Sequence, residues 1–295
     1  MAERIQKALA RLGLGSRREI ESWIAQARVV VDDHPAVLGQ QITERSKVFL
    51  DGKPVRLSRA FAGSARVILY HKPVGEICSR DDPQGRPTVF DRLPRLRGQR
   101  WVSVGRLDIN TSGVLIFTTD GDLAHRLMHP SSGVEREYRC RVRGAVTKET
   151  IDRLLQGIRL DRELCRFESV SGGSGGGANQ WFRVVIKEGR YREVRRMWQS
   201  VGCTVNRLIR TRYGPFTLDR RHPAGQGVEL GADFKAELVR SIGQKHSRSD
   251  RKDRQAATPS GKTFPLADAK PQKRRPSNPR LLSRRGSPTR VRQSD

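Results

Sequence analysis

The sequence predicts an α+β protein, in which a small basic unit of two helices and a short sheet precedes a larger domain. The larger domain is expected to hold a mostly antiparallel mixed sheet flanked by helices. Three observations lead to this prediction. Apolar residues in the first sixty positions keep helical spacing before short strand-like runs begin. From Val67 onward, two strand-like runs often precede one helical pattern, which is typical of α+β rather than repeated βαβ units. From Gln244 the apolar periodicity ends.

The first unit begins with two helices. Four apolar residues share one face of the first helix: Ile5, Ala8, Leu9 and Leu12. Gly13 ends this helix, and Ser16 with Glu19 forms an S-x-x-E capping box that starts the second one. The apolar face of the second helix is Ile20, Trp23, Ile24 and Ala27. Val29–Val31 reads as a strand, and Asp51-Gly52 predicts a tight hairpin turn.

Positive charge dominates the chain, with 58 Lys and Arg against 31 Asp and Glu and a net charge of +27. Such a surplus of positive charge usually indicates binding to a polyanion, most often nucleic acid. An anionic membrane is the rival partner, but the sequence has no apolar run of about 18 residues and no signal peptide. We therefore expect no membrane association. The first unit leaves Arg11, Arg17, Arg18 and Arg28 outside, either as an RNA-binding surface or as a solvated face.

The four cysteines contain no CxxC pair and no zinc-ligand spacing. We expect free thiols in a reducing cytoplasm and no metal. Residues 59–66 read as a short linker, so the predicted domains are residues 1–62, 63–243 and 244–295. The last segment has 15 Lys and Arg against 4 Asp and many Ser, Pro and Gln, which is typical of a disordered basic tail.

In the larger domain, strands are predicted at Val67–Tyr70, Val102–Val104, Val114–Thr119, Tyr138–Val142 and Trp181–Ile186. Helices are predicted at Gly121–Met128, Thr147–Gln156 and Arg192–Val201. The run Ser171–Gly177 lacks the Gly-Lys-Ser/Thr ending of a phosphate-binding loop, and we expect it to be a strand-to-strand connection.

One loop in this domain draws attention because it places a single acid, Asp108, in the run GRLDINTSG at residues 105–113. The loop follows a strand, where a sheet typically presents catalytic groups. On spacing alone, an acid beside Arg106 is more often a turn cap or a surface ion pair.

Four motifs carry a family resemblance in the same order along the chain. They are His71–Gly75 (HKPVG), Gly105–Asp122 (GRLDINTSGVLIFTTDGD), Arg136–Tyr138 (REY) and Glu188–Met197 (EGRYREVRRM). Together they resemble the RsuA-type branch of the pseudouridine synthases. The first unit resembles the S4 RNA-binding domain that precedes the catalytic domain in that branch. The resemblance covers roughly residues 3–235. The runs Arg80–Pro94 and Asn179–Trp181 favour the subgroup that modifies large-subunit ribosomal RNA.

The resemblance implies isomerisation of uridine to pseudouridine without a cofactor. Asp108 is then the catalytic residue. Its carboxylate acts on C1′ or on the 2′ proton of the ribose, and the sequence leaves both routes open. Because burial favours protonation of a carboxyl group, a cation must hold it charged. The family match makes that cation Arg195, with Arg196 as the alternative.

The resemblance also assigns roles to other residues. Tyr138 is expected to stack under the uracil, although a lone strand tyrosine is more often a core residue. Arg106 is expected to fill the gap left by a flipped-out nucleotide. The residues expected to bind RNA are Arg17, Arg18, Lys72, Arg190, Arg192 and Arg196. Lys72 could instead brace the floor of the site, and the cluster from Arg190 to Arg196 could be a solvated helix face.

The expected partner is 23S ribosomal RNA or a large-subunit precursor, and the expected assembly is a cytoplasmic monomer. Two alternatives stay open. The chain could be a non-catalytic S4-type RNA-binding or ribosome-assembly factor, or a pseudouridine synthase that acts on 16S ribosomal RNA or transfer RNA. The joint presence of Asp108, Tyr138 and Arg195 favours the enzyme, because a pure RNA binder has no use for this set.

Overall fold

A computed structural model describes residues 2–61, 65–174, 179–218, 222–231, 236–238, 240 and 263–264. Within them, apolar side chains form three buried clusters. One lies in the first unit, among residues from Ile5 to Ala60, and two lie in the larger domain. No helix in these ranges is both long and apolar enough to cross a bilayer.

The first unit contains the two expected helices, α1 (Ile5–Arg11) and α2 (Arg17–Ala25), followed by a short helix α3 (Ser58–Phe61). Its strands are β1 (Glu3–Arg4), β2 (Val29–Val31), β3 (His34–Pro35), β4 (Gln41–Ile42), β5 (Val48–Leu50) and β6 (Lys53–Val55). The order β3-β2-β5-β6 forms a four-stranded antiparallel sheet, and β1 pairs with β4.

Local signals in this unit are confirmed. The Ser16 hydroxyl accepts from the Glu19 backbone N–H at 3.1 Å, and the Ser16 N–H donates to the Glu19 carboxylate at 2.6 Å. These bonds satisfy backbone donors that the first turn of α2 would otherwise leave unpaired. Asp51 and Gly52 take positive φ angles of 50° and 73°, which lets β5 and β6 meet in a two-residue turn. Residues 59–61 of the expected linker belong to helix α3, and residues 62–64 of it lie outside the described residues.

The larger domain is built on one mixed sheet. Its strands are β7 (Val67–Lys72), β8 (Val102–Val104), β9 (Thr111–Thr118), β10 (Arg136–Arg143), β13 (Ser169–Ser174), β14 (Asn179–Ile186), β15 (Thr204–Tyr213), β16 (Phe216–Thr217), β17 (Gly227–Glu229) and β18 (Thr263–Phe264). The main order is β13-β14-β10-β15-β9-β7-β17-β18, while β8 pairs with β9 and β16 with β15. Every pairing in this sheet is antiparallel except β9 with β15. The predicted mostly antiparallel mixed sheet is confirmed.

Helices flank this sheet, as expected: α4 (Gly121–Met128), α5 (Lys148–Gln156) and α6 (Glu193–Ser200). A 3₁₀ turn spans Pro130–Ser132, and β11 (Ile158–Leu160) pairs with β12 (Glu163–Cys165). Apolar residues of β9 alternate between two cores: Leu115 and Phe117 belong to the cluster that also contains residues of α5 and α6, whereas Val114 and Ile116 belong to the cluster that contains residues of α4.

Several of the described strands have no prediction from the sequence. The strand β15 is the longest of the sheet and was not predicted at all. The glycine-rich run was expected to be a connection, but Ser169–Ser174 forms the edge strand β13 against β14. Of the expected disordered tail, residues 244–295, only Thr263–Phe264 lie among the described residues, where they pair with β17.

Candidate active site

The loop that carries Asp108 connects β8 to β9. Gly105 starts it with a φ of +77°, a left-handed conformation that favours glycine. Leu107 is buried in the main core, Asp108 is half-buried and Arg106 is exposed. Among the described residues, the Asp108 carboxylate accepts no hydrogen bond and forms no ion pair. The acid is therefore neither the turn cap nor the surface ion pair that its spacing alone favoured.

The side chain of Lys72 holds this loop through hydrogen bonds to backbone carbonyls. Its side chain is fully buried, and its Nζ donates to the backbone carbonyls of Pro73, Asp108 and Thr111 at 2.9, 3.1 and 2.9 Å. An ammonium group has three donors, so these carbonyls use all of them. The expected phosphate contact by Lys72 is therefore wrong, because the ammonium group is inaccessible to RNA. The alternative role as a brace fits the geometry.

The carbonyls between these two positions are held as well. The Gly75 backbone N–H donates to the Ile109 carbonyl at 2.8 Å, and Arg195 Nη2 donates to the Asn110 carbonyl at 3.1 Å. Every carbonyl from residue 108 to residue 111 therefore accepts a bond from a residue of the KPVG motif or from Arg195. Two motifs that lie far apart in sequence thus fix one short loop, which belongs to a third motif.

Arg195 and Arg196 point in different directions from α6. Arg195 Nη1 donates to the Val205 carbonyl at 2.7 Å, in addition to its bond with Asn110. Arg196 Nη1 instead pairs with Asp161 at 2.7 Å. Arg195 is therefore the arginine on the side of Asp108, whereas Arg196 turns toward Asp161. Within the described part of the chain, however, Arg195 and Asp108 form no direct ion pair.

Burial lowers the pKa of both cations near the loop. For Lys72, burial is the largest effect, and the charges of Cys78, Glu76 and Asp108 counteract it in part. For Arg195, burial and the neighbouring Arg192 lower the pKa, while Asp108 raises it. The carboxylate of Asp108 thus lies within the electrostatic range of two cations that do not neutralise it by contact.

Tyr138 lies on β10, is 7% exposed and belongs to the same buried cluster as Leu107. Its cross-strand partners are Val184 on β14 and Arg210 on β15. This position suits a ring that forms the floor of a pocket, and it equally suits a core tyrosine, the alternative that the sequence left open.

Sequence reasoning missed the part of the site that depends on β15. At the parallel β9–β15 pairing, Gly113 faces Arg210, and a Cβ at Gly113 would lie 2.2 Å from the Arg210 carbonyl oxygen. Arg210 is 2% exposed, and its Nε donates to the Val114 carbonyl at 2.7 Å. The glycine in the T-S-G run is the signal in the sequence that marks this close approach.

The arginines expected to bind RNA fall into two groups. Arg18 and Arg192 are exposed and have no acidic partner among the described side chains. The others contact acids: Arg17 lies 3.8 Å from Asp122, Arg190 pairs with Glu188 at 2.6 Å, and Arg196 pairs with Asp161.

One group of possible metal ligands lies outside this loop. Ligand atoms of Cys165, Glu188 and Glu193 lie within 4.8 Å of one another. Arg190 already engages both acids, because its Nε donates to Glu188 and its backbone N–H donates to Glu193 at 2.9 Å. Burial raises the pKa of the Cys165 thiol, which favours the protonated form rather than the thiolate that binds metals.

Comparison with protein-family models matches residues 66–200 to the family described as RNA pseudouridylate synthase and residues 3–48 to the S4 domain. The first match contains all the residues that fix the Asp108 loop from β7 to α6. The second contains α1 and α2.

Several curated relatives carry the name ribosomal large subunit pseudouridine synthase B. The protein from Yersinia pestis is 52% identical over 238 residues, which are 80% of this chain and 74% of the relative. The protein from Vibrio vulnificus is 47% identical over 298 residues, covering 92% and 93%. The protein from Pseudomonas aeruginosa is 52% identical over 231 residues; the match covers 78% of this chain and 60% of the relative, less than two thirds of its length.

Among solved structures, one titled "Crystal structure of pseudouridylate synthase" has a TM-score of 0.56. It covers 80% of this chain and 99% of its own, with 24% identity, and it supports the fold.

Proposed function

Because the chain belongs to the RNA pseudouridine synthase family, we propose that it isomerises a uridine of large-subunit, 23S ribosomal RNA to pseudouridine. Relatives at about half identity bear the name of that activity. In this proposal residues 63–243 form the catalytic domain, and residues 1–62 form an RNA-binding unit. The protein acts as a cytoplasmic monomer on the RNA or on a precursor of the large subunit.

The chemistry fits a site that offers a carboxylate and cations. The N1–C1′ bond of uridine breaks, the uracil turns, and a C5–C1′ bond forms. The C5 proton leaves and N1 gains a proton, so substrate and product are isomers and no oxidant or reductant is needed. Both ends of the reaction involve the anomeric carbon, so the enzyme must place a charged group against the ribose.

The observation that carries the proposal is the state of Asp108. Its carboxylate is half-buried and free of bonds within the described part of the chain, while the backbone on which it stands is held at four successive carbonyls. Such a group is rigidly placed and available to a substrate. It either attacks C1′ or removes the 2′ proton, and both routes require the ionised form.

The remaining roles follow from position. Arg195 supplies a positive charge near Asp108 and holds the loop through Asn110. Tyr138 stacks under the uracil, and Arg106, which is exposed beside Asp108, fills the space of the flipped-out nucleotide. Lys72 fixes the loop from below and contacts no RNA.

RNA binding is assigned to exposed cations of both domains. The arginines that contact phosphates are Arg17, Arg18, Arg190, Arg192 and Arg196. Three of them contact acids in the free protein, and these contacts are replaced by contacts with phosphate when the RNA binds. The basic segment 244–295 adds affinity through counterion release, with little sequence selectivity.

Replacing Asp108 by Asn tests the enzymatic role. Asp108→Asn should lower single-turnover isomerisation by at least about a thousandfold, because the amide is neither a nucleophile nor a base. RNA affinity should stay within about twofold, since most contacts lie elsewhere. The measurement is release of tritium from RNA that contains 5-tritiated uridine.

Asp152→Asn, on α5, is the matched control and should retain full turnover. Near-normal turnover of Asp108→Asn would refute the role of Asp108. Mapping of pseudouridines in a strain that lacks the protein then names the target: loss of a site in 16S or transfer RNA would refute the substrate, and loss of no site would favour the non-catalytic binder.

A further inference from the structure

Five arginines lie together on one face of the large sheet, away from the residues assigned above. They are Arg139, Arg141 and Arg143 on β10, Arg183 on β14 and Arg207 on β15; together with Trp181 they are called the arginine face. All five are exposed. In the strand register, Arg139 lies opposite Arg183, and Arg141 lies between Trp181 and Arg207.

This face is turned away from the candidate active site. Side chains alternate along a strand, so residues two apart share a face. On β10 the buried residues Tyr138, Cys140 and Val142 face the core that contains Leu107, whereas the arginines between them face outward. The arginine face is therefore on the opposite side of the sheet from Tyr138.

The arrangement is electrostatically costly for the protein alone. Like charges at directly opposed positions destabilise a sheet, and here Arg139 faces Arg183 and Arg141 faces Arg207. Of these arginines, Arg183 lies 3.5 Å from Glu137, and within the described ranges the other four have no acidic partner. An anion bound across the strands would relieve this repulsion.

The geometry suits a chain of phosphates. Neighbouring strands lie about 4.8 Å apart, and alternate residues on one strand lie about 6.6 Å apart, so the backbone positions that carry these arginines are closely spaced. The planar guanidinium group of arginine matches phosphate oxygens, and the Arg139 Cζ lies over the Trp181 ring, 4.5 Å from its centroid. Arginines interleaved with an aromatic ring are typical of nucleic-acid surfaces.

We propose that the arginine face binds the phosphate backbone of a second segment of the substrate RNA, distinct from the segment that presents the target uridine. The proposal rests on the proposed function for the identity of the RNA. Because the face lies across the sheet from Tyr138, one short hairpin seated at Asp108 does not occupy it. The basic segment 244–295 does not suit this face as a partner, because both are positively charged. A bilayer does not suit it either, because membrane binding would need more apolar side chains around Trp181.

The test compares two RNAs and two double variants. Arg141→Gln/Arg207→Gln removes two opposed charges from the arginine face. The matched control, Arg153→Gln/Arg159→Gln, removes two exposed charges from α5 and β11. Binding of a minimal target hairpin, and of the same hairpin extended by its flanking ribosomal sequence, is measured by fluorescence anisotropy over a range of salt concentrations.

The face variant should bind the extended RNA roughly tenfold or more weakly at low salt, and its salt slope should fall by about 2, one for each lost phosphate contact. Its affinity for the minimal hairpin should match that of the control variant. Equal affinity of both variants for the extended RNA would overturn the proposal, as would an equal loss on both RNAs. Retained RNA binding with loss of binding to poly-glutamate would assign the face to an acidic protein instead.

This outcome is separable from the proposed function. Binding is measured without turnover, so a failure of isomerisation leaves the result readable. Conversely, an arginine face that ignores RNA does not affect the Asp108→Asn experiment. Far-ultraviolet circular dichroism and thermal melting confirm that both double variants fold, as expected for exposed polar substitutions.

Discussion

At the scale of single residues, charge type matters less than the partners that the fold supplies. Lys72 and Arg195 look like any other cations in a chain of net charge +27. Yet Lys72 is fully buried against three carbonyls, and Arg195 bonds the carbonyls of Asn110 and Val205. Both side chains are charged donors, and their hydrogen bonds to the backbone carbonyls fix the Asp108 loop. Hydrogen bonds from charged donors are stronger than those from neutral donors.

Exchange of Arg195 for lysine should reveal this positioning role. Arg195→Lys keeps the positive charge, but it replaces the planar guanidinium group, whose two terminal nitrogens each reach a different carbonyl, by a shorter side chain with one nitrogen. We expect single-turnover isomerisation to fall by roughly tenfold to a hundredfold, with smaller effects on RNA affinity. The readout is the split between the rate at saturating RNA and the binding constant.

Arg196→Lys serves as the neighbouring control, because Arg196 pairs with the exposed Asp161 instead. Its rate at saturating RNA should stay close to that of the unmodified protein. If both lysine variants lose rate equally, Arg195 has no special position in the site.

At the scale of elements, β15 connects the strands that carry the site residues, and it is the strand that the sequence pattern indicates least clearly. The strand reads TVNRLIRTRY, and Arg210 is buried in it although arginine side chains usually face solvent. Two bulges against β10, between Glu137 and Tyr138 and between Arg141 and Val142, break the alternation that would mark a strand. Pairing of β15 with both β10 and β9 brings Tyr138 and Gly113 to opposite sides of Arg210.

Substitution of Gly113 should separate these strands. In Gly113→Ala, the new Cβ would lie 2.2 Å from the Arg210 carbonyl oxygen and 2.6 Å from its nitrogen, at a φ of +118°. Because all of these atoms are backbone, no rotamer change relieves the clash. We expect a loss of about 3 kcal/mol or more in the free energy of unfolding, measured by urea denaturation.

Gly231→Ala is the control, since a Cβ there meets nothing within 4 Å. Its free energy of unfolding should change by less than about 0.5 kcal/mol. A Gly113→Ala protein as stable as this control would show that β9 and β15 do not approach as closely as described.

At the scale of the whole molecule, the first unit meets the larger domain through charges around Asp122. This residue lies in the first turn of α4, and Lys7 of α1 forms an ion pair with it. Arg11 and Arg17 lie 3.9 and 3.8 Å from the same carboxylate. Arg100 adds a bond from Nη1 to the Gly15 carbonyl at 2.9 Å. These contacts set the orientation of the S4 domain relative to the Asp108 loop.

The pairing at Asp122 should depend on pH. Burial alone would raise the pKa of this carboxyl group, but the bond and charge of Lys7, together with Arg11 and Arg17, outweigh it, and the pKa falls below 3.8. A carboxyl group with a lowered folded-state pKa stabilises the protein above its unfolded-state value, and this stabilisation is lost as the pH falls through the folded-state value.

We therefore expect Asp122→Asn to lower the free energy of unfolding at pH 7 by about 1 kcal/mol, a modest value because the group is partly exposed. The difference from the unmodified protein should shrink as the pH falls below 3.8. Urea denaturation across this pH range measures it, with Asp161→Asn as a control for loss of an exposed ion pair. A difference that stays constant with pH would exclude the carboxylate as its source.

The sequence by itself determined the features whose causes are local. The capping box of α2, the Asp51-Gly52 turn and the apolar faces of the helices depend on neighbours a few positions apart, so spacing reveals them. The ordered motifs likewise sufficed for the family, which the comparisons confirm. Only the tertiary structure decided that Lys72 is buried, that Arg195 rather than Arg196 turns toward Asp108, and that five arginines share one open face. Each of these depends on pairing between strands or loops distant in the chain, because burial and direction are properties of the assembled sheet and not of residue type.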